Sequence, residues 1–256
     1  PDTMLDELGN KIYCDRNPSS DYVDKLPTDL RAEQIRIRSS NSGSGRIAQK
    51  VGIDNYKSLL EKSGVIDKIQ LDIDEVGQPL NFRWGKCKLA TTSFGHGITT
   101  TPLQLAKAYS IISHGGYDIK PSLIKSGESQ IRTQILNDNV SKNINNILRK
   151  VVSSKEGTAH FADVYGYEVG GKTGTADKVK NGIYTKDKIN TFVSVFPISN
   201  PKFVLLVLLD EPKPSKEYIY HCRDESTPSK GNWRNTAGWT TVLMVGNIIE
   251  KIGHIL

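Results

Sequence analysis

The chain has 256 residues and a formal net charge of +6 at pH 7, which is long enough for one domain with a well-buried core. Its apolar and charged fractions, 37% and 24%, exclude a disordered chain and a membrane-embedded bundle. The lysines are scattered and no basic block is interleaved with aromatic residues, so nucleic acid is not expected as a partner.

Helices are predicted in parts of the N-terminal half, where capping and stop residues mark their ends. Residues 1–30 are polar and rich in turn formers, and no element is assigned to them. Residues 64–101 are expected to be irregular, with short strands at best. The predicted elements are a short helix over Ala32–Ile37, a break at Ser39–Asn41, a helix from about Gly45 to Gly52, and a helix from Asp54, its N-cap, to about Ser63.

The pattern is clearer from Thr101 onward. Thr101 is a good N-cap, Pro102 suits the first helical position, and apolar residues follow at helical spacing until Gly115-Gly116. A second helix is predicted from Ser141 to about Ser154, with its apolar residues on one face.

The C-terminal third predicts three strands and a helix. The first strand lies in Tyr167–Asp177, and two apolar runs, Thr191–Phe196 and Phe203–Leu209, are joined by turn-forming residues 197–201. Because the last run is unbroken, we expect a sheet covered on both faces. A final helix is predicted over Thr236–Ile255. Strands that are adjacent in sequence pair antiparallel, so the fold class is α+β.

No internal repeat and no long linker divides the chain. We therefore predict a single domain over residues 1–256, with a mostly helical part, 31–165, and a strand–hairpin–helix part, 166–256. No apolar run approaches the roughly 18 to 20 residues of a membrane span, and residues 1–10 do not form a signal peptide. Because the chain does not start with Met, we expect a mature or truncated product.

The three cysteines, Cys14, Cys87 and Cys222, lie far apart in the sequence. They lack the paired spacing of metal ligands, so a structural zinc is not expected. A disulfide between two of them stays open.

A glycine-rich segment, Tyr167–Asp177 (YEVGGKTGTAD), carries the clearest chemical signal. Glycine weakens a strand, but it allows another backbone or a ligand to approach closely. Lys172 offers positive charge to an anionic group, and Thr173 and Thr175 share a face because side chains alternate along a strand. Lys-Thr-Gly is also one of three sequence elements of active-site serine penicillin-binding proteins and class A β-lactamases. The tripeptide alone leaves open a plain edge strand.

A second candidate site is the Ser39-Ser40-Asn41 segment. Ser39 and Asn41 are two residues apart, so in an extended or turn conformation they can face one pocket. A hydroxyl beside an amide suits proton relay and recognition of a peptide carbonyl. The alternative is structural, because Ser and Asn before a helix are most often caps.

The order of these motifs resembles the transpeptidase domain of penicillin-binding proteins, with Ser-x-Asn, a helical region, Lys-Thr-Gly-Thr, a hairpin and a final helix. From Arg31 to the C terminus, longer segments are similar to class B members, closest to the septal (cell-division) type. The resemblance implies their α+β fold, an antiparallel sheet flanked by helices that serine β-lactamases share. The segments are RSSNSGSGRIAQKVG, SFGHGITTTPLQLAKAYSIISHGG, VGGKTGTAD, FPISNPKFVLLVLLDEP and TAGWTTVLMVGNIIEKI.

The resemblance implies acyl transfer without a metal or organic cofactor. In the intact enzyme a serine attacks the D-Ala-D-Ala amide of a peptidoglycan stem peptide, expels D-Ala, and passes the acyl group to an amine of a neighbouring stem. β-Lactams mimic the D-Ala-D-Ala end and leave a stable acyl-enzyme. By this resemblance Ser39 would relay a proton, and Asn41 would hold a side-chain amide of the donor peptide.

The Lys-Thr-Gly strand would bind the other end of the substrate. Lys172 would supply positive potential and assist the proton relay, and Thr173 and Thr175 would bind the substrate carboxylate. The backbone N–H of Thr175 would form part of an oxyanion hole. Gly174 would leave room for the substrate to lie antiparallel to the strand.

One family element does not occur in its place. The nucleophile lies in a Ser-x-x-Lys motif upstream of Ser-x-Asn, and the 38 residues before Ser39 contain no such pattern. Ser122–Lys125 and Ser199–Lys202 match it, but both follow Ser39, and we interpret them as chance matches. The chain therefore resembles the C-terminal part of a transpeptidase domain and is expected to be inactive alone, with a weakly stable cleft.

Other polar residues receive structural interpretations. His96 is expected in a loop, His160 in a turn near the rim of the cleft, and Trp233 and Trp239 against the final helix. Asp210-Glu211 ends a strand and is not expected to act as an acid–base pair.

Two functions from different classes remain. The first is a septal D,D-transpeptidase with peptidoglycan stem peptides, β-lactams and cell-division membrane proteins as partners, at the periplasmic face of the inner membrane and anchored by a segment outside this chain. The segment 101–116 and the DEP and TAGW stretches argue against a D,D-carboxypeptidase or a β-lactamase. The second is a non-catalytic penicillin-binding module of the division machinery.

Overall fold

The computed structural model describes residues 1–5, 13–14, 17–18, 21, 27, 29–71, 73–125, 132–215, 217 and 233–256. They divide into two units, residues 1–147 and 148–256. The single-domain boundary of 1–256 stays a prediction. Among the described helices, none combines the length and apolar character that crossing a membrane requires. Cys87 is a free thiol, and Cys222 and the side chain of Cys14 lie outside the described part.

The first unit is mainly helical. Its core includes Leu5, Leu30 and Ile35, all buried, where the first helix meets a pair of two-residue strands. Strands β1 (Met4–Leu5) and β4 (Leu30–Arg31) pair antiparallel, as do β2 (Tyr13–Cys14) and β3 (Asn17–Pro18). The elements are β1 (Met4–Leu5), β2 (Tyr13–Cys14), β3 (Asn17–Pro18), β4 (Leu30–Arg31), α1 (Ala32–Arg38), α2 (Asn41–Val51), α3 (Ile53–Lys62), α4 (Lys86–Thr92), α5 (Pro102–Ser113) and α6 (Asp138–Ser153), the last contributing residues to both units.

Helix α5 confirms the prediction made from local capping signals. Thr101 Oγ1 accepts a hydrogen bond from the Gln104 N–H at 3.2 Å, and Gln104 Oε1 accepts one from the Thr101 N–H at 2.8 Å. This reciprocal pair satisfies two donors at the helix start. The fully buried Gln104 side chain also donates to the carbonyls of Gly64 and Asp67, so it holds the turn that follows α3.

Several predicted boundaries in this unit are wrong. Helix α2 begins at Asn41 rather than Gly45, so the Ser/Gly-rich sequence is helical. A residue outside this segment caps the start of the helix. Helix α3 begins at Ile53 with Gly52 as N-cap, which places Asp54 in the first turn. Helix α6 begins at Asp138 rather than Ser141.

The region 64–101 contains a helix that the sequence did not predict. Helix α4 has only seven residues, three of them buried: Leu89, Ala90 and Thr92. A segment this short is not stable by propensity alone and depends on tertiary packing. It packs against α2 and α3, and the Tyr56 hydroxyl of α3 donates to the Thr92 carbonyl at 3.0 Å.

The second unit confirms the predicted antiparallel sheet and C-terminal helix. Strands β5 (Gly170–Lys180), β6 (Ile183–Phe196) and β7 (Phe203–Asp210) pair in the order β5-β6-β7, and α7 (Thr241–Ile252) packs on β6 and β7. The core combines apolar side chains from β6, α6 and α7. It includes Phe192, Val193, Val195, Phe196, Val151, Val152, Val242, Val245 and Ile249.

Strand lengths and burial differ from the prediction. Strand β5 continues to Lys180 and β6 begins at Ile183, joined by Asn181-Gly182 with φ of 52° and 77°. This is a turn with positive φ at both residues, which Asn-Gly favours. Strand β7 has no fully buried residue, so it is not covered on both faces as expected. The buried residues of β6 lie in its second half, and this strand pairs with β5 on one edge and β7 on the other.

The C-terminal helix also starts later than predicted. Residues Ala237–Trp239 form a 3₁₀ turn, and α7 begins only at Thr241. Trp239 contacts the Phe161 ring edge-on at 5.8 Å between centroids, so it packs beside the helix start.

Ion pairs join the far end of the hairpin to the end of β7. Lys178 Nζ lies 2.7 Å from Asp210 Oδ1 and 2.9 Å from Glu211 Oε1, and Lys180 Nζ lies 2.9 Å from Glu211 Oε1. The hydrogen bonds from Lys180 and then Lys178 lower the pKa of Glu211 to about 2. Asp210 and Glu211 thus bind lysines at the strand end, in agreement with the structural interpretation of this pair.

This ion-pair cluster predicts a pH-dependent contribution to stability. The pKa of Glu211 falls on folding from an ordinary value of 4.5 to about 2, so the contribution is present above about pH 4.5 and is lost as the pH falls toward 2. We expect the difference in melting temperature between the wild type and Glu211→Gln to shrink over that interval. Thermal unfolding followed by circular dichroism measures it.

The matched control is Glu250→Gln, an exposed position on α7. Added salt at neutral pH should also reduce the Glu211→Gln difference, because the pairs are solvent-accessible and screened. A difference in melting temperature that stays constant down to pH 2 would contradict the prediction.

Candidate functional site

The Ser-x-Asn segment forms the turn between α1 and α2. Ser39 adopts the left-handed conformation (φ 58°, ψ 45°) as C-cap of α1, and Ser40 is the N-cap of α2, with its Oγ accepting from the Gly43 N–H at 3.0 Å. The capping role that the sequence left open therefore belongs to Ser40, which is 1% exposed. Ser39 and Asn41 flank it and are half-buried.

Asp21 fixes this turn and was not recognised from the sequence. Its carboxylate accepts hydrogen bonds from the backbone N–H of Asn41 and of Ser42, the latter at 3.2 Å, and from the hydroxyls of Ser40 and Ser42. A carboxylate at a helix N-terminus is favoured by the unsatisfied N–H groups and the helix dipole. Asp21 thus explains why α2 begins at Asn41.

Replacing Asp21 should destabilise the Ser-x-Asn turn. Asp21→Asn removes the charge and turns one acceptor oxygen into a donor amide that faces existing donors. We expect a loss of about 1–3 kcal/mol in the free energy of unfolding, the range for leaving buried donors without an acceptor. Chemical denaturation measures it, with Asp29→Asn, an exposed position, as control. Equal stability of the two variants would show that Asp21 does not hold the turn.

The Lys-Thr-Gly sequence lies on β5, at an edge of the described sheet. Lys172, Thr173, Gly174 and Thr175 are opposite Val193, Phe192, Thr191 and Asn190 of β6. Among the described residues β5 pairs only with β6, so its other edge presents backbone groups with which an extended peptide could pair.

Two threonine hydroxyls of β5 lie on one face, as the alternation predicted. Thr173 Oγ1 is 2.8 Å from Thr158 Oγ1, and Thr175 Oγ1 accepts from the Ala237 N–H at 2.9 Å. A hydroxyl has one donor and two acceptor sites. One hydroxyl proton of the Thr158–Thr173 pair is therefore not used in the bond between them, and the Thr175 proton is not used in the bond from Ala237.

Thr158 is a second residue of the candidate site that was not recognised from the sequence. It lies in the Gly157-Thr158-Ala159 segment, directly before His160, for which a turn near the rim of the cleft was expected. His160 begins a 3₁₀ turn after it, and its ring lies 4.0 Å from that of Phe161 between centroids, at an interplanar angle of 41°. The Gly-Thr-Ala sequence was the only signal in the sequence that could have indicated Thr158. The contact of the Thr158 hydroxyl with Thr173 could not be predicted from that sequence.

The cation of this strand is half-buried. Lys172 Nζ donates to the Thr173 carbonyl at 2.9 Å, which holds the ammonium beside the strand. Within the described residues, no three His, Cys, Asp or Glu side chains are grouped as metal ligands would be.

The glycines of β5 serve two different purposes. A Cβ on Gly171 would lie 2.4 Å from the Val193 carbonyl oxygen, and one on Gly170 would lie 3.0 Å from the Arg149 backbone nitrogen, so internal packing favours glycine at both positions. A Cβ on Gly174 would come no closer than 3.9 Å to Thr191. Nothing in the described protein requires Gly174 to be small, which points to space kept for a ligand.

The two Ser-x-x-Lys matches do not begin helices. The Ser122 hydroxyl donates to the Ile124 carbonyl at 2.7 Å within a local turn, and the Ser199 hydroxyl donates to Glu168 in the turn between β6 and β7. His96 lies in a turn, with its ring 6.3 Å from that of Phe94.

Comparison with known proteins identifies the family. The model of the penicillin binding protein transpeptidase domain matches residues 5–226. The chain belongs to this family. Its fold agrees: the transpeptidase domain of penicillin-binding protein 3 from Burkholderia pseudomallei superposes with a TM-score of 0.80 at 25% identity, over 98% of this chain and 73% of that one. The predicted α+β fold with an antiparallel sheet is confirmed.

Curated relatives are named for peptidoglycan synthesis. The probable peptidoglycan D,D-transpeptidase FtsI of Caulobacter vibrioides is 30% identical over 239 residues, which are 89% of this chain and 38% of that protein. FtsI of Buchnera aphidicola subsp. Schizaphis graminum is 35% identical over 195 residues, 74% of this chain and 34% of that protein. The chain thus spans little more than a third of the length of these relatives. Penicillin-binding protein 3 of Mycobacterium tuberculosis, solved with aztreonam, shares the fold (TM-score 0.81, 22% identity, 100% of this chain and 58% of that one).

Proposed function

We propose that this chain is part of a peptidoglycan D,D-transpeptidase and that β5 binds the D-Ala-D-Ala end of a stem peptide. The observation that supports this most directly is Gly174, an exposed glycine on an edge strand that internal packing does not require. A peptide added antiparallel to β5 would pass over this position. The names of the FtsI relatives supply the substrate class.

The threonine hydroxyls fit the carboxylate of such a peptide. Thr175 and one member of the Thr158–Thr173 pair each have a hydroxyl proton left to donate, and hydroxyl-to-carboxylate bonds are stronger than neutral ones. Lys172 adds positive potential on the same strand. D-Ala-D-Ala and penicillins both carry a terminal carboxylate, so the same strand would bind substrate and inhibitor.

The proposed acyl-transfer step uses a serine nucleophile outside this chain. The serine oxygen attacks the penultimate D-Ala carbonyl, the C–N bond breaks, and the departing D-Ala amine takes a proton. Ser39 would relay that proton, Asn41 would bind an amide of the donor peptide, and the Thr175 N–H would stabilise the oxyanion. An amine of a neighbouring stem then displaces the serine and forms the cross-link.

The location and partners follow from the substrate. We infer that the intact enzyme works at the periplasmic face of the bacterial inner membrane, held there by a segment outside this chain. The FtsI names of its relatives support cell-division membrane proteins as partners.

Labelled penicillin tests the proposed activity. The 256-residue chain and a version extended by the upstream sequence of its gene are each incubated with the penicillin, and the intact mass is measured. We expect only the extended version to gain the mass of the label. Labelling of the short chain would identify Ser122 or another serine as the nucleophile. Labelling of neither version would favour a non-catalytic binding module.

Two glycine substitutions separate ligand binding from folding. Gly171→Ala should destabilise the protein by about 1–3 kcal/mol, because a methyl group meets backbone and has no space. Gly174→Ala should leave stability unchanged or raise it by up to about 1 kcal/mol, since glycine is unfavourable in a strand. It should nevertheless slow acylation by penicillin in the extended version.

Denaturation and stopped-flow acylation measure the two effects. If Gly174→Ala acylates at the wild-type rate, the ligand does not pass over this position, and the proposed binding mode is wrong.

A further inference from the structure

Two side-chain hydrogen bonds fasten the segment before α7 to the Lys-Thr-Gly strand. The Ala237 N–H donates to Thr175 Oγ1 at 2.9 Å, and Asn190 Nδ2 donates to Asn235 Oδ1 at 2.9 Å. Thr175 and Asn190 are direct partners across β5 and β6, so their side chains share one face of the sheet. The two bonds therefore act on the same short segment, residues 235–237, from neighbouring points.

Asn190 is an unusual residue for its position. Its side chain is 0% exposed, and Phe192, the next residue on the same face, is equally buried. Asn190 Oδ1 has no hydrogen-bond partner within the described part of the chain. Burial of a half-satisfied amide is unfavourable, and an apolar side chain would continue the core. Since the unpaired oxygen of this amide is unfavourable, its bond to Asn235 is the feature to be explained.

Residues 235–237 have little freedom once Asn235 is held. Ala237 is fully buried, and a Cβ on Gly238 would lie 2.9 Å from the Thr158 carbonyl oxygen. The Thr240 hydroxyl donates to the Thr236 carbonyl at 2.9 Å, which fixes the segment from its other side. The Asn190–Asn235 bond thus joins these contacts in positioning the Ala237 N–H.

The position of the Ala237 N–H determines whether the Thr175 hydroxyl can donate its proton to a ligand. When Thr175 Oγ1 accepts from Ala237, its own proton must point elsewhere and is available to a ligand acceptor. We propose that Asn190 and Asn235 are positioning residues that keep Ala237 bonded to Thr175, so that the Thr175 hydroxyl serves as a donor to the ligand carboxylate. This inference rests on the proposed function.

The test compares penicillin with its methyl ester, which lacks the carboxylate charge. In the extended, acylating version, Asn190→Ala and Asn235→Ala should each slow acylation by the carboxylate form about tenfold, the size expected for one weakened charge-assisted hydrogen bond. Acylation by the ester should change less than about twofold by the same argument. The double variant should resemble either single variant, because both remove one bond. Asn235 is half-buried, so Asn235→Ala keeps the test possible if Asn190→Ala does not fold.

The same measurements in the Thr175→Ala background distinguish a positioning role from a merely structural one. There, Asn235→Ala should cause no further loss of carboxylate preference. The control Asn247→Ala, exposed on α7, should leave the preference unchanged. Equal slowing with both ligands, or an undiminished Asn235→Ala effect without the Thr175 hydroxyl, would overturn the inference while leaving the proposed function intact.

Hydrogen exchange of the Ala237 amide in the 256-residue chain measures the coupling between Asn235 and Ala237 without any ligand. Asn235→Ala should accelerate exchange at Ala237 while exchange in the middle of α7 stays unchanged. Unchanged exchange at Ala237 would overturn the positioning role. Failure of every version to react with penicillin would instead overturn the proposed function, so the two failures are distinguishable.

Discussion

The pairing of β5 with β6 is the constraint on which the second unit depends. β6 carries the core residues Phe192–Phe196, and its register places Thr175 opposite Asn190. Because side chains alternate along a strand, a slip of one residue would turn Thr173 and Thr175 to the other face. Burial of β6 therefore fixes which way the hydroxyls of an exposed strand point. The hydrophobic core thus orients the hydroxyls of Thr173 and Thr175, although these hydroxyls are not part of the core.

The Ser-x-Asn turn is fixed by a different interaction, the satisfaction of a helix N-terminus. The first N–H groups of α2 need acceptors, and Ser40 and Asp21 supply them. With Ser40 committed to capping, Ser39 and Asn41 are held on either side of it. The Ser-x-Asn turn and the Lys-Thr-Gly strand thus each depend on backbone requirements within their own unit.

Sequence alone predicted the elements whose signals are local. Helix α5 has its N-cap, proline and apolar spacing within one stretch, and it was placed correctly. The antiparallel pairing of β5 and β6 was predicted, but their extension to the Asn181-Gly182 turn was missed, because the polar residues around it lack strand periodicity. Helix α4 and the role of Asp21 could not be predicted, since both depend on residues distant in sequence. Thr158 was visible as a motif residue, but not as a partner of Thr173.

The candidate site is best recognised where the chain departs from what folding alone favours. Ser39 takes a left-handed conformation that costs a non-glycine residue about 1 kcal/mol. Gly174 weakens a strand without being required by packing, and Asn190 buries an amide with one unpaired oxygen. Each choice is unfavourable for stability, and each lies within two residues of, or directly opposite, a motif residue. Unfavourable choices concentrated at one set of positions are expected where a ligand, rather than the fold, selects the residues. Gly170 and Gly171 of the same strand show the contrast with Gly174, because packing alone explains why these two residues are glycine.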